Sequence, residues 1–267
     1  MIERFCTLPD GGRIRLLEAG AGKPIVFVHG WPTNANAWRR QLESLADRHR
    51  VLALDLRGFG ESSSLADPTI AQLARDVGDA LESEALDDVV LVGWSMGGCV
   101  VMSYCEQLGA ERLRGIGIVD VSPKLWPAED WPLGAGTPFS REGIEEWARL
   151  WDSDRRAVAR EVYTIGFKDV ERHAAEREWL VEECMKADPD TAMVALLDAF
   201  AQDYRASLAR LPVPALLLYG AASTSTTPHV REFMASTIPD ATLVVFEESS
   251  HCPMLEESER FDRAVDE

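Results

Sequence analysis

The sequence predicts an α/β fold: a mostly parallel sheet with helices on both faces, interrupted by a helical insertion. Three observations lead there. Short apolar, β-branched runs recur up to Asp120, separated by segments of helical periodicity. Several of these runs are continuous rather than alternating, as expected of strands covered on both faces. After Asp120 the pattern stops, and strands resume only near Ala215.

Each element has its own signal. Arg13 to Glu18 reads as a strand after the turn Asp10-Gly11-Gly12. Pro24 to Val28, Val51 to Asp55 and Val89 to Val92 read as buried strands. Between the last two, Ile70, Leu73, Ala74, Val77 and Leu81 share one helical face, and Pro68 after Asp67 suits a helix start. Strands alternating with helices imply a parallel sheet. Gly115 to Val119 is a further strand, ending at Asp120. Four stretches then read as helices: Ile144 to Trp151, Arg155 to Ile165, Ala174 to Met185 and Thr191 to Phe200. Ala215 to Tyr219 and Thr242 to Phe246 read as strands, and about Glu256 to Val265 as a closing helix. The expected division is a core of residues 1–122 and 209–267 and a helical cap of residues 123–208. Pro123-Lys124-Leu125-Trp126-Pro127 is its expected hinge, and a lid is its expected role, since insertions of this length are usually functional.

Composition narrows the function. At 267 residues and 46% hydrophobic, the chain can bury a substantial core. Acidic residues outnumber basic ones 45 to 27, for a net charge of −18. Such a surface repels phosphate backbones and anionic lipid, so neither nucleic acid nor a membrane is the expected partner. The start, Met1-Ile2-Glu3-Arg4-Phe5, does not read as a signal peptide, and no apolar run approaches the ~20 residues of a membrane span. Cys6, Cys99, Cys105, Cys184 and Cys252 form no C-x-x-C pair, so neither a metal site nor a disulfide framework is indicated. A reduced cytoplasm is the expected compartment, and no cofactor is implied.

The chemistry concentrates at three places. Gly93-Trp94-Ser95-Met96-Gly97 matches G-x-S-x-G. Alone, the pattern arises by chance in roughly one chain in ten of this length. Here it follows the run Val89 to Val92 directly and precedes the helix-like Cys99 to Tyr104, the strand–turn–helix that lifts a serine hydroxyl above a sheet. A helix N-terminus behind it favours developing negative charge. His251, in Ser249-Ser250-His251-Cys252-Pro253, lies between the last strand and the last helix. A serine hydroxyl is a poor nucleophile until a base takes its proton, and neutral imidazole suits pH 7. His49, His173 and His229 sit in polar surroundings and are expected at the surface. Five of the eight tryptophans fall in the expected cap (Trp126, Trp131, Trp147, Trp151 and Trp179), with Phe139, Tyr163, Phe167 and Phe200. Most should pack the cap on the core, and some should line an apolar pocket. Trp31, Trp94, Met96 and Trp126 lie on or near motif loops and are the expected wall residues.

With His29-Gly30-Trp31-Pro32, Asp55-Leu56-Arg57-Gly58-Phe59-Gly60-Glu61-Ser62, the Ser95 elbow, an insertion and the late His251 in this order, the chain resembles the α/β-hydrolase superfamily over nearly its whole length. The resemblance implies that Ser95 is the nucleophile, His251 the base, and the backbone N–H groups of Trp31 and Met96 the oxyanion hole. His29 is expected to brace its loop, and Arg57, Gly58 and Gly60 to shape theirs. The acid departs from the common pattern. Relatives carry G-x-x-D after the strand that follows the cap, whereas this chain has Gly220-Ala221-Ala222-Ser223-Thr224-Ser225-Thr226-Thr227, with Ser223 at the acid's place. Some lactonases and cofactor-free dioxygenases of the fold carry the acid at the strand after the elbow helix, which here gives Asp120; Glu247 and Glu248 are the lesser candidates. The expected activity is hydrolysis of an ester or lactone of a mostly apolar small molecule. Peracid formation is an expected side activity, since the His29 segment is also similar to perhydrolases. Two competitors stand: a cofactor-free dioxygenase using the His–Asp pair as base, and a hydrolase-fold receptor or regulator that binds a small ligand.

Overall fold

A computed structural model of the protein describes residues 1–132 and 140–267; Phe139 lies outside the described residues. The strands are β1 (Ile2–Thr7), β2 (Arg13–Gly20), β3 (Pro24–Val28), β4 (Arg50–Leu54), β5 (Val89–Trp94), β6 (Leu113–Val119), β7 (Ala215–Gly220) and β8 (Ala241–Phe246). The helices are α1 (Arg39–Ser44), α2 (Ile70–Ser83), α3 (Met96–Leu108), α4 (Arg141–Gly166), α5 (Ala174–Cys184), α6 (Pro189–Ala201), α7 (Arg205–Leu208), α8 (Pro228–Thr237), α9 (Pro253–Glu256) and α10 (Ser258–Asp266).

The described strands form one eight-stranded sheet in the order β1-β2-β4-β3-β5-β6-β7-β8. Strands β4 to β8 pair in parallel through β3, and β2 runs against both its neighbours. Side-chain alternation explains the continuous apolar runs. In β3, Val26 and Val28 join one core layer and Ile25 and Phe27 the other, and all four are buried. The first layer packs against α2, α3 and α8 through Leu73, Val77, Val100 and Met234. The second packs against α1 and α10 through Leu42, Phe261 and Val265.

Between β6 and β7 the described residues contain helices and two isolated β-bridges, Lys124 with Asp203 and Ala128 with Trp131. The bridge at Lys124 ties the first residues after β6 to the last before α7, and its Nζ bonds Asp203 at 3.1 Å. The two helices expected at Ile144 to Trp151 and Arg155 to Ile165 lie in one run, α4, broken by non-helical angles at Asp154. The Asp154 carboxylate accepts the Ala157 N–H at 3.0 Å and so caps the second half. No described helix is long and apolar enough to cross a membrane.

The loop after β4 is held by buried charges. Arg57, 4% exposed, donates two hydrogen bonds to the fully buried Asp76 on α2, at 2.7 and 2.5 Å. Asp55 accepts the N–H groups of Ala35 (2.7 Å) and Glu61 (2.8 Å), which ties this loop to the segment after β3. Removing only the cation strands a buried carboxylate. Arg57→Met is therefore expected to lower unfolding free energy by about 3–5 kcal/mol in urea titration. Arg57→Met with Asp76→Leu should recover much of that loss, and a double variant as unstable as the single one would refute the assignment.

Candidate active site

Ser95 stands between β5 and α3 with φ 54° and ψ −119°, in the left-handed half of backbone space that a side chain rarely adopts. The close approach of three segments explains its glycine neighbours. A Cβ on Gly97 would collide with the carbonyl oxygens of Val28 and His29, and one on Gly93 with the carbonyl of Gly97. The Ser95 N–H donates to the Val119 carbonyl at 2.9 Å, which fixes the turn against the end of β6. Met96 is the first residue of α3, where opening N–H groups lack intrahelical acceptors.

Asp120 follows β6, fully buried, with φ 48°. Its Oδ2 lies 2.6 Å from His251 Nδ1. A carboxylate can only accept, so Nδ1 carries the proton, and Nε2 of the neutral ring keeps its lone pair. His251 is held on several sides. Its N–H donates to the Gly166 carbonyl at the end of α4 (2.9 Å), its carbonyl accepts Trp94 Nε1–H (2.8 Å), and the preceding Ser250 N–H donates to Glu256 (2.8 Å). Burial pushes the Glu256 carboxyl up from its ordinary range, although it accepts backbone N–H groups including that of Lys168. Glu247 and Glu248 are exposed, and Glu248 pairs with Lys168 instead.

Ser95, Asp120 and His251 line one cavity, partly open to solvent. Its walls come from both sides of the chain. Trp31, Met96 and Val121 belong to loops at the ends of strands and the start of α3, whereas Trp147, Val162, Leu196 and Phe200 belong to α4 and α6. Among the described lining residues Asp120 is the one acidic side chain, and none is Lys or Arg. Trp31 is anchored by its indole N–H, which donates to the Ala192 carbonyl at 2.7 Å, and its ring lies 4.9 Å from that of Trp151.

Two expected wall residues lie elsewhere. Trp94 is 1% exposed and belongs to the core layer on the opposite face of the sheet, where its ring sits 5.5 Å from the His251 imidazole. Strand alternation turns it away from the side Ser95 occupies. Trp126 packs on Phe200 at 5.7 Å beneath the Arg141 guanidinium, and its neighbour Leu125 lines the cavity. Ser225, not anticipated, also lines it; it sits in the serine- and threonine-rich loop that lacks the family's usual carboxylate. Of the remaining histidines, His229 is exposed and His49 bonds Asp266, but His173 is buried against Phe167, against the expectation of a surface position.

The family model described as "Alpha/beta hydrolase family" matches residues 25–264. The chain belongs to the alpha/beta hydrolase family. It is similar to the pimeloyl-[acyl-carrier protein] methyl ester esterase of Nitrosomonas europaea, 27% identical over 95% of this chain and 98% of that one. It is also 29% identical to the non-heme chloroperoxidase CPO-A1 of Kitasatospora aureofaciens, over 92% and 91%. Among solved structures, the esterase of Exiguobacterium antarcticum superposes with a TM-score of 0.92 at 24% identity, covering 99% of this chain and 98% of that one. The sequence relatives support serine-hydrolase-type activity in general and leave the substrate open, and the superposition shows the fold.

As expected from the sequence, His29 braces its loop. Leu56 N–H donates to Nε2 at 3.0 Å, so Nδ1 carries the proton and bonds the Gly30 carbonyl at 2.9 Å. Complete burial pushes the imidazole down to about 4. An unfolded histidine titrates near 6.5. Between those values the unfolded chain binds the extra proton, so the contribution of neutral His29 is complete above about pH 6.5 and is lost as pH falls toward 4. The loss should approach about 3 kcal/mol. Urea unfolding of wild type and His29→Gln should therefore show a stability gap at pH 7.5 that shrinks at pH 4.5. A gap that does not change with pH would contradict this.

Proposed function

We propose that this hydrolase cleaves a carboxylic ester or lactone of a mostly apolar small molecule through an acyl-enzyme on Ser95. The observation that carries the reading is the 2.6 Å bond between Asp120 Oδ2 and His251 Nδ1, at a cavity that Ser95 also lines. The bond puts the imidazole in the tautomer whose Nε2 can take a proton. In the proposed cycle Nε2 accepts the Ser95 hydroxyl proton as Oγ attacks the carbonyl carbon. Asp120 stabilises the imidazolium without taking its proton. The N–H groups of Trp31 and Met96 stabilise the oxyanion. The imidazolium protonates the leaving alkoxide, water then attacks the acyl carbon with Nε2 again as base, and the acid and free Ser95 are released. Residues 123–208 would act as the lid, since α4 and α6 supply much of the apolar wall.

Asp120→Asn keeps the shape but favours the other imidazole tautomer. The same change in a serine protease triad costs roughly 10⁴ in turnover, so a loss of about 10²–10⁴ in kcat is expected here on p-nitrophenyl esters. Ser95→Ala should lower kcat by about 10⁴–10⁶, leaving only the residual rate that the oxyanion N–H groups and substrate binding sustain. A cofactor-free dioxygenase would retain most of its turnover without Ser95, and a ligand receptor would show slow single turnover in the wild type; either result would sink the hydrolase reading.

The walls also set the substrate. Apart from Asp120, which is engaged with His251, the described lining offers no formal charge to an ionic substituent. Specificity constants over straight-chain acyl esters should rise by a factor corresponding to about 1 kcal/mol per methylene until the cavity is filled. A preference for dicarboxylate half-esters or sugar esters over apolar esters of equal size would contradict the assignment.

A further inference from the structure

We propose that Ser223 and Thr226 are positioning residues for the acid: their hydroxyls hold the Asp120 carboxylate in the orientation from which it bonds His251. Their loop supplies no carboxylate of its own. It supplies two donors instead. Ser223 Oγ donates to Asp120 Oδ2 at 2.6 Å, the oxygen that also takes His251 Nδ1–H, and Thr226 Oγ1 donates to Oδ1 at 2.6 Å. The direction of the Ser223 bond is determined locally. Its oxygen accepts the Ser225 N–H at 3.1 Å, and its own proton is directed at the carboxylate, which has none to give.

The three donors leave the carboxylate little freedom to rotate. With His251 Nδ1–H and the Ser223 hydroxyl on Oδ2 and the Thr226 hydroxyl on Oδ1, a turn about the Cβ–Cγ bond breaks all three bonds together. Loss of a hydroxyl removes one of the bonds that oppose that turn of a fully buried carboxylate. The loop itself is clamped from behind. Arg231, 6% exposed, donates to the Thr226 carbonyl at 3.2 Å, and Tyr219, whose ring it overlies at 5.9 Å, donates its hydroxyl to the Val121 carbonyl at 2.9 Å. Both Thr226 and Arg231 are therefore tied to the segment that carries Asp120. Neither Ser223 nor Thr226 lines the cavity, so their effect reaches the substrate only through Asp120 and His251.

The kinetic arm of the test rests on the ester-hydrolase reading; a spectroscopic arm does not. Variants Ser223→Ala, Thr226→Val, the double variant and Thr226→Ser are compared with wild type and with Thr224→Ala, an exposed threonine of the same loop. In the resting protein the His251 Nδ1 proton is followed by proton NMR. It should move upfield and exchange faster with water in the double variant, and stay unchanged in Thr224→Ala. Competent sites are then counted with a fluorophosphonate, and kcat and KM are measured per competent site on p-nitrophenyl butyrate. Each lost hydroxyl should lower kcat about tenfold with KM within about twofold, and Thr226→Ser should keep most of the wild-type value. Retention of the wild-type Nδ1 proton by the double variant overturns the proposal, as does a Thr226→Ser variant as slow as Thr226→Val. If the wild type neither cleaves esters nor reacts with the fluorophosphonate, the hydrolase reading falls, and the NMR comparison still decides the role of the hydroxyls.

Discussion

Asp120 carries a fully buried carboxylate, and a buried carboxylate must be surrounded by donors. That requirement organises the carboxyl edge of the sheet. The donors come from two separate loops: His251 after β8, and Ser223 and Thr226 after β7. Parallel strands bring all three loops to one edge, beside the turn that carries Ser95. The Asp120 carboxylate after β6 thus sets where the imidazole stands, and the His251 backbone is held in turn by the Gly166 carbonyl at the end of α4.

The same contacts couple the helical insertion to the chemistry. Gly166 accepts the His251 N–H, and Glu256 accepts the N–H groups of Ser250 and Lys168 at once, so the end of α4 and the histidine loop are one hydrogen-bonded unit. On the opposite wall, Trp31 is pinned to α6 through the Ala192 carbonyl and packs beside Trp151 of α4. A movement of α4 would therefore alter the cavity wall and the imidazole together, and one of α6 would shift the wall at Trp31. At the base of the insertion, Lys124 and Asp203 join its two ends through an ion pair.

Strand alternation, helical faces and turn residues make the central sheet legible, because each buried strand is an apolar run bounded by polar turns. β1 is not legible in this way: Ile2–Thr7 is an edge strand of mixed polarity with mostly exposed side chains, so it lacks both the continuous and the alternating pattern. α8 is hidden for a related reason, since its buried side chains, Val230, Arg231 and Met234, include a cation. At the site, Ser95, His251 and Asp120 can be read from chain order and local motif. The cavity wall cannot. Closeness in sequence to a motif suggests Trp94 and Trp126, but the direction of a side chain is set by strand alternation and by packing partners distant in the chain, which put Leu125, Ser225 and Leu196 at the wall instead. The hydroxyl donors to Asp120 are invisible for the same reason, because a loop without a carboxylate reads as an absence until its neighbours are in place.

The central claim is that a serine on a strained turn is made nucleophilic by an imidazole that a buried carboxylate orients. It is tested most directly by treating folded protein with a fluorophosphonate and locating the adduct by peptide mass mapping. The account predicts one adduct per chain, on Ser95, formed slowly or not at all in His251→Ala and in urea-unfolded protein. An adduct on another residue, no adduct in the folded wild type, or equal labelling of folded and unfolded chains would contradict it.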